Sequence, residues 1–204
     1  MVLNGAEIIG RLSRRVPGLA LRSDHEVSGL KPPEMVYRPA AVLVPIVERP
    51  DGLTILLTRR TDHLHDHAGQ VSFPGGRIEP DDPDPETAAL REAEEEVGLC
   101  RNKVRLAGRL DTWRTGTGYE IVPVVGLVDP DHRLTLDPFE VAASFEVPLS
   151  FILDPANHRL ESRFWKGMDR KFYVLPYLEW YIWGATAGML VNLARTLTLE
   201  VKAE

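Results

Sequence analysis

At 204 residues, 44% apolar and 26% charged, the chain suits one folded domain with a sizeable core, and no stretch is poor enough in large apolar residues to read as disorder. A formal net charge of -6 excludes the basic surface that a long polyanion needs, so no nucleic-acid partner is expected, whereas a small polyphosphate can be held through divalent cations. The lone Cys100 excludes an internal disulfide and a cysteine-based zinc cluster, which fits a reducing cytoplasm.

Residues 5–15 predict a short amphipathic helix, followed by a polar, proline-containing connector from Ser23 to Pro33. The opening MVLNGAEIIGRLSRRV has no apolar core ending in a small-residue cleavage site, so export is not expected. Apolar runs at Ala40–Val47 and Leu53–Thr58 predict strands, and Arg49-Pro50-Asp51-Gly52 between them predicts a hairpin turn. A helix over Pro85–Val97 follows from four signals: Asp84 as cap, Pro85 at the first position, Glu86 at the positive end and Gly98 as terminator. Strands are expected at Val104–Asp111 and Glu120–Val128, with Gly116-Thr117-Gly118 turning between them. Leu178–Leu197 reads as a C-terminal helix; its most apolar part, Trp180–Val191, is well short of the roughly 20 residues that span a bilayer, so no membrane is expected. The order of elements is α+β, without the strand-helix alternation of a doubly wound sheet.

On the predicted Pro85–Val97 helix, residues advance about 100° each, which gathers Glu92, Glu95 and Glu96 on one flank and Ala89, Leu90, Ala93 and Val97 on the next. Like charges at these spacings repel by a few tenths of a kcal/mol per pair, a penalty that bound cations reverse. Mg2+ and Mn2+ take oxygen ligands; they neutralise phosphates, stabilise a leaving oxygen and lower the pKa of a water that then acts as nucleophile. Such a helix taken alone is more simply a solvated acidic face. What raises it above that is its setting: Gly75-Gly76 after Val71-Ser72-Phe73, then Glu79 and Asp82, then Arg91-Glu92, Glu95-Glu96 and Gly98-Leu99.

These residues resemble the box of the Nudix hydrolases, in which a Gly, five residues, a Glu and seven residues precede Arg-Glu-apolar-x-Glu-Glu-x-Gly-apolar. The chain departs from it twice. Asp82 stands where the family usually has Glu, and eight residues rather than seven separate it from Arg91. The resemblance implies an α/β/α sandwich with a mixed central sheet over residues 38–204, with 1–37 as an extension packed on it. It also implies a metal set of Gly76, Glu92, Glu95 and Glu96, with Glu92 and Glu96 principal, and Arg91 orienting its acidic neighbours. Glu92, Glu95, Arg91 and Glu140 form the expected catalytic group. Family members take their general base from the box or from a later loop; Glu140 is the loop candidate, and an exposed residue at a helix start is its equal alternative.

Upstream, Leu56-Leu57-Thr58-Arg59-Arg60, Leu64, His67 and Gly69–Gly76 are similar to the second signature of the coenzyme A pyrophosphatase subgroup, with Thr61 where Ser is usual and His65 where a basic residue often stands. That resemblance implies cleavage of the diphosphate of coenzyme A or its thioesters to 3',5'-ADP and 4'-phosphopantetheine or its acyl form, with Mg2+ or Mn2+. Arg59, His67, Gln70, Ser72 and Gly75 are the candidate substrate contacts, and a homodimer is the family-level expectation. Of Arg59 and Arg60 only one is expected at phosphate, because neighbouring strand residues face opposite sides. His63, His65 and His67 could imitate a transition-metal site, a reading that the oxygen-rich helix disfavours. A broader nucleotide diphosphatase (ADP-ribose, dinucleotides or nucleoside triphosphates) and a catalytically silent nucleotide-binding module are the alternatives.

Overall fold

The computed structural model describes residues 3–15, 18, 20–64, 66–165 and 167–198, apart from the side chain of Trp165. Helix α1 (Gly5–Ser13) begins on a capping box: Glu7 N–H donates to the Asn4 side chain and Asn4 N–H to the Glu7 carboxylate. Its Ile8 and Leu12, one turn apart, are buried. The single turn α2 (Asp24–Val27) is capped by Ser23. Strands β1 (Arg38–Arg49) and β2 (Gly52–Arg60) make the expected hairpin. Arg49 pairs directly with Gly52, so the turn itself is Pro50-Asp51.

β2 leaves β1 beyond the Ile46–Ile55 pair, and the gap is filled by two short strands: β3 (Val71–Ser72) pairs with the end of β2, and β4 (Gly75–Arg77) with the start of β1. Helix α3 (Pro85–Val97) occupies the residues its caps predict, with Thr87 N–H on the Asp84 carboxylate at 2.7 Å and Gly98 left-handed at φ 67°. There follow β5 (Val104–Arg109), β6 (Trp113–Arg114), β7 (Tyr119–Val128), β8 (Val141–Pro148), α4 (Leu149–Leu153), β9 (Arg159–Trp165), β10 (Met168–Tyr177), β11 (Trp180–Trp183) and α5 (Gly184–Thr198). The Gly116–Gly118 turn joins β6 rather than β5 to β7, although β5 also pairs with β7.

The C-terminal helix is shorter than expected. Trp180–Trp183, aromatic and rich in β-favouring residues, pairs with β10, and Gly184 at φ 64°, the first residue of α5, turns the chain out of this strand. Leu178–Trp183 is therefore not helical.

Among the described residues, eight strands form one mixed sheet, with β1 and β7 parallel and the other pairs antiparallel; β9, β10 and β11 form a second, antiparallel sheet. The two-residue period of the strands divides the core. Ala41, Leu43 and Val47 of β1, Leu56 of β2 and Val124 and Val128 of β7 pack under Ala88, Ala89, Ala93 and Val97 of α3. Their neighbours Val44, Ile46, Ile55, Leu57, Val125 and Leu127 face the other way, against α1, α4 and α5. Helices on both faces of a mixed sheet make the expected α/β/α sandwich. No helix of the described residues is long and apolar enough to cross a membrane.

One contact on the α5 side shows two effects in opposition. A Cβ on Gly188 would lie 2.3 Å from the buried Trp113 ring. Ala favours a helix over Gly by about 1 kcal/mol, but overpacking a filled core costs roughly 1–3 kcal/mol. Gly188→Ala should lower the urea midpoint, because the fully buried indole has no room to yield; a raised midpoint would show that propensity wins.

Candidate active site

A cavity of about 790 Å³ opens where β1 and β2 part. Gly75 seals the floor of this splay: at φ 155°, any Cβ there would meet the Ala41 carbonyl at 2.5 Å. At Gly76 a Cβ would fall 2.5 Å from the Glu92 carboxylate, so the absence of a side chain is what lets Glu92 rest against β4. The two glycines thus bring α3 and its carboxylates onto the mouth of the sheet.

The three glutamates do not share one environment. Glu96 is only 4% exposed among the buried alanines of α3; its carboxylate accepts from Gly75 N–H at 3.2 Å and lies 3.6 Å from the Arg60 guanidinium. Burial pushes its pKa up to about 8, against the pull of Arg60 and the Gly75 N–H, with Glu140 and Glu92 adding repulsion. Glu92 is half-buried and is raised for the same leading reason, offset by Arg91. Glu95 is turned outward, its side chain 60% exposed, and does not line the cavity.

Arg91 ties this helix flank to the loop before it. Its Nε and Nη2 donate to the two oxygens of Asp82 at 3.2 and 2.9 Å, Nη1 donates to Glu92 and Glu95 at 2.9 and 3.0 Å, and Nη2 also reaches the Arg77 carbonyl. The fork is bidentate on Asp82, which is held below the usual carboxylate range by it. The shortened side chain at position 82 and the extra residue after it are thus absorbed in a loop that still reaches the arginine.

Glu140 enters the cavity from outside α3. The last carbonyls of a helix lack partners within it; here Thr135 N–H and Asp137 N–H donate to the Val97 and Glu96 carbonyls, clipping the 130s loop to the end of α3. Thr61 N–H takes the Glu140 carbonyl at 3.0 Å and its hydroxyl donates to that of Phe139. Glu140 lies in a turn before β8, not at a helix start.

The two arginines of β2 exchange the roles expected of them. Arg59 bends to Asp62 at 2.8 Å, away from the cavity, while Arg60 lines it and has its Nε buried without a hydrogen-bond partner. Leu56 packs under α3, and the two-residue period of β2 carries Arg60 to that same side and Arg59 to the other. His67, left-handed at φ 58°, contacts Gln70 at 3.0 Å; both line the cavity with Ser72, whose hydroxyl meets that of Thr58. His63 packs on Phe139 and His65 lies outside the described residues, so the histidines form no described cluster. The sequence carried no local signal for the rest of the wall, which includes Asp24, Thr115, Thr117 and Tyr119.

Among the described residues, no three His, Cys, Asp or Glu side chains are drawn together as a ready metal cage. The donor chemistry nonetheless fits a hard cation: Glu92, Glu96 and Glu140 line one cavity and repel one another, and the buried Glu96 has little else to neutralise it.

The NUDIX domain model matches residues 37–162. The chain belongs to the Nudix family. The Nudix hydrolases NudL of Yersinia pestis (strain Pestoides F) and Yersinia pseudotuberculosis serotype O:1b, both described as uncharacterized, are 41% identical to it over 162 residues, 79% of this chain and 81% of theirs. The crystal structure of a NUDIX hydrolase from Alicyclobacillus acidocaldarius matches in fold, with a TM-score of 0.51 at 19% identity, covering 84% of this chain and all of that one. As a Nudix hydrolase the chain is an enzyme acting on pyrophosphate bonds, in a family that generally uses divalent metal ions.

The state of Glu96 has a consequence for stability. Below pH 4.5 its carboxyl is protonated whether the chain is folded or not; above that the unfolded chain releases the proton and the folded one keeps it until about 8. Stability from this group is therefore present below pH 4.5 and lost as pH rises through about 8. Urea unfolding of the metal-free protein should show that decline, on the order of a few kcal/mol, and Glu96→Gln should flatten it. An undiminished slope in the variant would assign the decline to other groups.

Proposed function

We propose that this Nudix enzyme hydrolyses the diphosphate of coenzyme A or its thioesters, giving 3',5'-ADP and 4'-phosphopantetheine or its acyl form. The observation that carries the reading is that the Leu56–Gly76 signature and the box helix are two walls of one cavity: Arg60, His67, Gln70, Ser72 and Gly75 line it together with Gly76, Glu92, Glu96 and Glu140. Its volume, about 790 Å³, suits a ligand of nucleotide size.

In this reading Glu92 and Glu96, beside Gly76, would hold Mg2+ or Mn2+, with Glu95 a lesser contributor because it is turned to solvent and does not line the cavity. A divalent ion there supplies positive charge against the diphosphate and makes the attacking water more acidic. Glu140, coming from a different element, takes the proton from that water as general base. Arg60 pairs with the diphosphate, in the role first assigned to Arg59, through the guanidinium that lines the cavity. His67, Gln70, Ser72 and Gly75 contact the substrate from the signature wall. Arg91 is a positioning residue, reaching the chemistry through Glu92. The described part of residues 1–37 is an extension packed on the domain that follows it, and the partner is a small molecule rather than nucleic acid.

Coenzyme A should be turned over with Mg2+ or Mn2+ and not after chelation; ADP-ribose cleaved as fast or faster would favour the broader diphosphatase instead. Glu96→Gln should remove most activity with the far-UV spectrum retained, and Glu140→Gln should cost roughly 10²–10⁴-fold in kcat with metal affinity little changed. Full turnover by Glu96→Gln would end the ligand assignment.

A further inference from the structure

Residues 20–36 lie outside the stretch matched to the family, yet they grip the cavity wall. Arg114 N–H donates to the Arg22 carbonyl at 2.7 Å, beside a bridge between Ser23 and Arg114. Asp24 then takes two donors, one from β6 and one from the β6–β7 turn: Trp113 Nε1–H on one oxygen at 2.9 Å and Gly116 N–H on the other at 2.7 Å. At the far end of the turn, Arg38 N–H donates to the Gly118 carbonyl at 2.9 Å, and the Arg38 guanidinium to the Thr117 carbonyl at 3.2 Å. Thr115, Thr117 and Tyr119, carried by this turn, line the cavity, and so does Asp24.

The Asp24 carboxylate is not spent on its own helix, since Ser23 caps α2 through Glu26 N–H. It is enclosed enough for burial to push its carboxyl above the ordinary range despite both donors. Its basic neighbours His25 and Arg170 also lower it, but less than the Gly116 and Trp113 donors, so the turn is the carboxylate's main partner.

We propose that Asp24 is a positioning residue for substrate recognition: it fixes the 115–118 turn, which the buried Thr115 hydroxyl braces from within by accepting from Tyr119 N–H, so that Thr117 and Tyr119 offer hydroxyl groups to the part of the substrate that lies away from the cleaved bond. This rests on the cavity being the diphosphate-hydrolysing site. Glu92 and Glu96 are held by other contacts, through Arg91, Gly75 and Gly76. Loss of the brace therefore weakens substrate binding and spares the chemical step.

The test first offers the wild type coenzyme A, ADP-ribose and diadenosine tetraphosphate with Mn2+, and keeps the fastest substrate for the variants. Defeat of coenzyme A in that comparison ends the coenzyme A reading and leaves Asp24 testable on the winner. Asp24→Asn, which keeps the size of the side chain but sets an amide N–H against one of the two donors, should raise KM about tenfold, the equivalent of one lost hydrogen bond, with kcat within about twofold. Trp113→Phe, which removes one donor only, should raise KM less. Thr117→Val should raise KM in the wild type and add little in the Asp24→Asn background, since the misplaced turn no longer presents that hydroxyl. An unchanged KM in Asp24→Asn, a fall confined to kcat, or additive effects of the two substitutions would overturn the proposal. Should Asp24→Asn lose the folded near-UV spectrum, the coupling between Trp113→Phe and Thr117→Val decides by the same criterion.

Discussion

Glu96 sets the terms for the rest of the site: its carboxyl is enclosed by the alanine face of α3 and the sheet, with one backbone N–H and a more distant guanidinium for company. Taking a charge out of water is expensive, and proteins normally answer by pairing it or by leaving it protonated. Here the pairing is incomplete. The surrounding architecture is arranged around that deficit: Gly75 comes close enough to donate, Gly76 clears room for a second carboxylate, and Arg91 restrains Glu92 from behind with Asp82 as its counterweight. A cavity framed by under-neutralised oxygens is suited to a ligand that brings its own cations, which is the chemistry of polyphosphates.

What could be read from the residues was whatever is encoded within a turn or two of chain. Asp84, Pro85 and Gly98 delimit α3 locally, so its bounds match, and Asp-Gly located the first hairpin. The parallel pairing of β1 with β7 has no such local mark, and Trp180–Trp183 was read as helix because a short apolar run is ambiguous until its partner strand is known. The site divided the same way. The box and the signature were visible as motifs, but whether Arg59 or Arg60 lines the cavity depends on which face of β2 lies under α3, which no local residue marks. Helical geometry put three glutamates on one flank without showing that Glu96 would be buried and Glu95 left in solvent. Asp24 sat unnoticed in a polar connector, because its partners Trp113 and Gly116 are distant in sequence.

The division of labour within the cavity follows from which elements are rigid. α3 is capped at one end and clipped at the other by the 130s loop, so Glu92 and Glu96 are carried on a fixed rod. The opposite wall is made of turns and of the ends of strands, whose shape depends on hydrogen bonds from elsewhere in the chain. Reaction chemistry can thus be common to the family while the shape of the opposite wall depends in part on residues such as Asp24, which the family match does not cover.

The splay between β1 and β2 also dictates when the pocket comes into being. Its walls draw on Asp24 near one end of the chain and on Met189 in α5 near the other, and β1 finds its parallel partner only in β7. Contacts so far apart in sequence must pay the entropy of closing long loops before they return any stabilisation. On a ribosome the acidic helix is therefore made well before the cleft it serves. The nascent chain carries its acidic helix for some time before the cleft is enclosed, because Met189 of α5, which lines that cleft, is made only later.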